Sequence, residues 1–126
     1  MVAAGTQSAA TRAITCVIDA LASVGLTAGR DAGAFHPQPT GILVGLPALT
    51  SRGLAFHTFT VPVHVVSGVP LNTMGAVDAL YAIADAAVAA LGEDSYVPAE
   101  WGGGPNLDPL PSLLVSCVVT ISPEVP

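Results

Sequence analysis

Thr58-Phe59-Thr60-Val61-Pro62-Val63-His64-Val65-Val66, then Ser67-Gly68-Val69-Pro70, then an Ala-rich run closing at Gly92, decides the fold of this chain. Phe59, Val61, Val63 and Val65 alternate with Thr58, Thr60, Pro62 and His64, the period of two that marks a strand with one buried face. Gly68 and Pro70 break the strand. Asn72 or Thr73 can cap a helix and Gly92 can close it. Between them Met74, Val77, Tyr81, Ala84, Val88 and Leu91 recur at spacings of three and four. Leu80, Ile83 and Ala87 widen this stripe, and Asp78 and Asp85 share the opposite face. Neither element hides its apolar face alone, so each is expected to cover the other. Pro62 lacks the N–H a ladder needs, which suggests that the strand lies at an edge open to a neighbour. A second flank of the helix, Ala82, Ala86, Ala89 and Ala90, permits close approach by the sheet or by another chain.

Outward from this unit, the first ten residues are small and polar and read as a mobile segment. A first helix is expected from Ser8 or Thr11 to Gly25. Ile14, Val17, Leu21 and Val24, with Ile18, form its stripe, while Arg12 and Asp19 face water. Residues 26–30 read as a short strand, residues 31–40 as an irregular loop with two prolines, and residues 42–49 as a strand ending near Pro47. Thr50-Ser51-Arg52-Gly53 reads as a hairpin turn into the central strand at Phe56. After the long helix, residues 96–101 suit a short strand and residues 102–109, rich in Gly and Pro, a loop. Residues 113–122 alternate as a strand, with Leu113, Val115, Cys117, Val119 and Ile121 on one face. The order predicts an α+β fold, a mostly antiparallel sheet with two helices packed on one face, in a single domain spanning residues 1–126.

The composition narrows the function. Hydrophobic residues reach 52% and charged residues only 10%, against about 25% charged in ordinary domains. So thin a charge layer suits a protein that buries surface against neighbours. There is no Lys, and Arg12, Arg30 and Arg52 are the three basic residues in a chain of formal charge −6. That balance argues against wrapping nucleic acid. Residues 53–77 carry no charge, but Pro62, Gly68, Pro70 and Asn72 interrupt them, so no membrane span is expected. Cys16 and Cys117 fall in apolar patterns and are expected as small reduced core residues rather than a disulfide.

Catalytic and metal chemistry find little support. His36, His57 and His64 have no ligand spacing, and no CxxC pair exists. His57 and His64 are expected on opposite faces of one strand. Asp78 and Asp85 lie a heptad apart on a solvated helix face, and Glu93 and Asp94 fit a solvated turn. The run Gly102-Gly103-Gly104-Pro105 lacks the Lys-Ser/Thr ending of a phosphate loop. No catalytic residue, metal or cofactor is assigned. Tyr96 and Trp101, beside that loop, are either partner anchors or core lids.

The order of elements, the loop Arg30-Asp31-Ala32-Gly33-Ala34-Phe35-His36-Pro37-Gln38-Pro39, the strand Gly41-Ile42-Leu43-Val44-Gly45, the segment Val61-Pro62-Val63-His64-Val65-Val66 and the closing strand together resemble one family. It is the tail terminator, or tail-to-head joining, family of long non-contractile-tailed bacteriophages, such as those of actinobacteria. The resemblance covers about residues 11–122 and rests on element order and local sequence. It implies a structural virion protein forming a homo-hexameric ring at the head–tail interface, assembled in the host cytoplasm. Its partners would be the tail tube protein, the head-side connector or stopper, and DNA passing through without specific binding. Expected contact residues are Arg30, Arg52, Pro62, Tyr96 and Trp101, within the segments 30–40 and 95–111, with the arginines meeting acids such as Asp78, Asp85 or Glu100 of a neighbour. Alternatives are a head-completion stopper, or a small bacterial ligand-binding domain or enzyme built on at least two of His36, His57, His64, Asp31 and Glu100.

Overall fold

The computed structural model of the chain describes residues 8–31, 37, 40–53, 55–102 and 109–122. Helix α1 spans Ala9–Ala22, strand β1 Ala28–Gly29, β2 Thr40–Val44, β3 Ala48–Arg52 and β4 His57–Ser67. Helix α2 spans Met74–Leu91, β5 Val97–Trp101 and β6 Leu110–Ile121. The strands form one sheet in the order β1-β2-β4-β6-β5, with β3 beside β4 on the β2 side. All pairs are antiparallel except β1·β2. The fold is therefore α+β.

Both helices start where their side chains can take up free backbone donors. The Ser8 hydroxyl accepts from the Thr11 N–H (3.1 Å) and Thr73 from the Ala76 N–H (3.1 Å). The earlier of the two expected starts of α1 is the real one, so residues 8–10 belong to its cap and first turn, and residues 1–7 lie outside the described residues. Gly92 ends α2 at φ 69°, where a side chain would be strained.

The core lies between the helices and one face of the sheet. Phe59, Val61, Val63 and Val65 of β4 and Leu113, Val115, Cys117 and Val119 of β6 point into it, as their alternation predicted. Ala13, Val17 and Leu21 of α1 and Leu80, Ala84 and Ala87 of α2 close it from above. The buried line of α2 is thus rotated from the stripe that begins at Met74. Met74 is 73% exposed, and Val77, Tyr81, Val88 and Leu91 are only half-buried. Alanines at 84 and 87 let the helix approach the sheet closely, and packing follows that close approach rather than the largest side chains. On α1, Arg12 is partly exposed, and its guanidinium also donates to the Ser122 carbonyl and ties the helix to the end of β6. Cys16, expected inside, is exposed. On the sheet's other face Leu43, Val66 and Ser112 are buried near β2, whereas Ser116, Val118 and Thr120 are exposed.

Strand β4 is not an edge. It pairs with β6 along its whole length, from His57↔Ile121 to Val66↔Ser112, and with β2 and β3 on the other side. Pro62 is tolerated because the expected strand 42–49 is broken. β2 ends at Val44, β3 begins at Ala48, and the proline's missing donor faces the interval between them. The turn also moves: β3 continues through Arg52, and the Gly53 N–H closes the loop onto the Phe56 carbonyl at 2.8 Å. A bulge at Thr50 shifts the β3·β4 register, and the Thr50 hydroxyl donates to the Thr58 carbonyl at 3.1 Å.

Candidate functional site

The polar groups do not converge. His64 lies between Leu43 and Leu114 of the adjacent strands, on the face away from the helices. Burial lowers its pKa below 6.5, and its buried Nδ1 has no partner. His57 faces the helix side at the far end of the same strand, opposite Arg52 and Ile121, so the two histidines do not share a site. Among the described residues no three His, Cys, Asp or Glu side chains come together as metal ligands. His36 and the loop residues 103–108 lie outside the described residues.

A groove of about 260 Å³ lies between the C-terminal halves of both helices and β6. Cys16, Ala20, Leu91, Cys117 and Val118 are among its lining residues. Both cysteines are free thiols, and burial, with Glu93 and Cys16 nearby, pushes the Cys117 pKa up to about 11. A protonated, buried thiol is a poor nucleophile. No histidine lines the groove to act as its base.

Two acidic residues hold other groups: Asp85, exposed as expected, takes a side chain, and Glu93, half-buried, takes a backbone group. Asp85 accepts the Tyr96 hydroxyl at 2.6 Å, which raises the Tyr96 pKa, and Tyr96 meets Tyr81 edge-on at 5.7 Å between ring centroids. Tyr96 therefore serves as a brace between α2 and the start of β5. The Glu93 carboxylate accepts the Val118 N–H at 3.2 Å. Sequence spacing gave no sign of that contact, because it joins a helix end to a strand 25 residues away.

The arrangement is richest at the two borders of the sheet. On one border β3 is exposed along its entire length and, among the described residues, pairs only with β4. Leu46 is 86% exposed just before β3, with Leu49 within it and Phe56 beyond the turn also exposed. Arg52 ends this strand, and Arg30 follows β1 on the same border. Neither arginine makes a salt bridge with a described residue. On the opposite border β5 stops pairing at Val97↔Leu114, so residues 115–121 of β6 have no strand beside them there among the described residues. Val118 and Val97 are exposed along this border. Trp101, half-buried, closes the other end of β5 opposite Leu110. Of the expected contact residues, Arg30 and Arg52 lie on one border and Tyr96 and Trp101 beside the other. Pro62 lies in the interior, against Gly45. Helix α2, 18 residues long, is apolar enough to cross a membrane by length and composition, and Leu80, Ala84 and Ala87 hold it against the sheet.

No family model, no curated protein and no solved structure matches this chain.

Proposed function

We propose that this chain is a structural virion protein, a tail terminator whose copies close into a homo-hexameric ring. The ring would cap the tail tube, end its polymerisation and join the tail to the head-side connector. One observation carries this reading. A charge-poor chain presents, among its described residues, open backbone and large exposed apolar side chains on both borders of one sheet. A monomer manages such edges with charge, proline or a covering loop, whereas an assembling subunit uses them. Two unlike borders favour head-to-tail contact, which closes into a ring when the rotation permits.

The resemblance in element order and local sequence supports the same reading. The protein then works by shape and interface complementarity, and no side chain is assigned a role in bond chemistry. The acid excess and the lack of Lys suit a channel through which DNA slides without sticking. The site of action is the head–tail interface of the virion, after assembly in the host cytoplasm. Sizing the purified chain across concentrations, and mixing it with tail-tube rings and with head portals, tests the proposal. A ring that binds tube ends is the expected result. Binding to portals alone reassigns the chain as a head-side stopper. A monomer that binds neither overturns the proposal.

A further inference from the structure

All three arginines lie in residues 1–52, accompanied only by Asp19 and Asp31 among the acids, while residues 53–126 hold every other acid and no Lys or Arg. For Arg30 and Arg52 the fold turns this division of sequence into a division of space, whereas Arg12 reaches the end of β6 at Ser122. Arg30 and Arg52 stand on the border made by β1 and β3. Glu100 lies in β5, Asp85 is bound to Tyr96 just before β5, and Glu93 sits on β6. The border made by β1 and β3 carries Arg30 and Arg52 beside Asp31, the border made by β5 and β6 carries Glu93 and Glu100 with Arg12 reaching its far end at Ser122, and both carry exposed apolar residues.

Resting on the ring reading above, we infer that the joint between copies is a strand addition. The outer edge of β3 in one copy pairs, in the next, with the edge of β6 at residues 115–121, which has no strand beside it among the described residues, and Arg52 meets Glu93. Strand β3 has five residues, Ala48–Arg52, and the free run of β6 can accommodate all of them. Both strands run antiparallel to β4 and so parallel to each other. A rotation axis lying along the strands joins them as a parallel pair. Leu49, opposite Phe59, flanks the joint on the helix side and Val118, opposite Thr60, flanks it on the other face, each about half exposed in the single chain. Glu93 guards the receiving edge. Its carboxylate holds the Val118 N–H, where a neighbouring strand's carbonyl would otherwise bind. On joining, that carbonyl takes the N–H and the neighbour's guanidinium takes the carboxylate. Charge thus selects the head-to-tail pairing over β3 with β3 or β6 with β6, where like charges face one another.

The test uses two surface variants of the full chain, Arg52→Glu on one border and Val118→Asp on the other, each checked by its melting curve to be folded. Each alone is expected to run as a single chain under conditions where the wild type forms its ring. Mixed one to one, they are expected to give a species of two chains and stop there, because each supplies one intact border. Glu93→Gln keeps an acceptor for the Val118 N–H but removes the charge, and is expected to weaken association roughly two- to five-fold without lowering the melting temperature. Rings from either border variant, or pairing of the Val118→Asp variant with itself, overturn this joint while leaving the ring reading intact. A wild type that stays monomeric at every concentration also overturns the joint. If that monomer also binds neither tubes nor portals, the proposed function falls with it.

Discussion

Gly45 donates its backbone N–H to the Pro62 carbonyl at 2.8 Å, and a β-carbon on Gly45 would lie 2.9 Å from Pro62 Cγ. In a strand, the N–H and C=O of one residue point to the same side. The Pro62 nitrogen therefore faces Gly45, where β2 has already ended, and the β4·β6 ladder loses nothing. A proline in the centre of a sheet is accommodated by a break in the neighbouring strand, and that break needs a residue without a side chain.

Gly45→Ala is expected to destabilise the fold by about 1–3 kcal/mol through overpacking against the proline ring. Combining it with Pro62→Ala should recover part of that loss, because the ring atom in conflict is gone. Denaturant melts of the two single variants and the double variant measure the coupling. Simple additivity would show that the two residues do not press on one another.

Leu80 and Met74 separate the observed helix face from the one suggested by side-chain size. Leu80 is 1% exposed and Met74 73%. Leu80→Ala is expected to cost about 2–5 kcal/mol and Met74→Ala less than about 0.5 kcal/mol, read from chemical denaturation. Equal losses would contradict the rotation of α2.

His64 gives the fold a dependence on pH. Burial between Leu43 and Leu114 lowers its folded pKa below the 6.5 of an exposed histidine. Below pH 6.5 the unfolded chain binds the proton more readily than the folded one, so stability falls as pH drops toward the folded pKa. Above 6.5 both states are neutral and the effect vanishes. Melting temperature should decline on acidification from pH 7 through this window, and His64→Gln should flatten that part of the curve. An unchanged slope in the variant would assign the dependence elsewhere.

The two thiols should react at different rates. Cys16 is exposed, whereas Cys117 is 3% exposed with its pKa pushed up to about 11. A thiol-specific reagent at pH 8 is expected to label one cysteine quickly in the folded chain and both after denaturation, with mass spectrometry of peptides identifying Cys16 as the fast site. Rapid labelling of both would show that the groove opens readily.

Much of the fold was legible in residue order. The alternation of Phe59, Val61, Val63 and Val65, and of Leu113 through Val119, is a local property of each strand, and it placed the core face correctly. Gly92 and the pair Asn72–Thr73, of which Thr73 is the cap, marked the ends of α2 because capping and left-handed closure act within a few residues. The buried line of α2, the outward turn of Cys16 and the interior position of Pro62 were not legible. Each depends on which element lies alongside, and neighbours far apart in sequence leave no local pattern. The Glu93–Val118 contact and the placing of Arg30 and Arg52 on the border opposite Glu93 and Glu100 are of the same kind. The sequence by itself determined the elements, their inward faces and the division of charge between its two segments. Only the tertiary structure decided that those segments form opposite borders of one sheet, because strand order is set by packing and pairing across the whole chain.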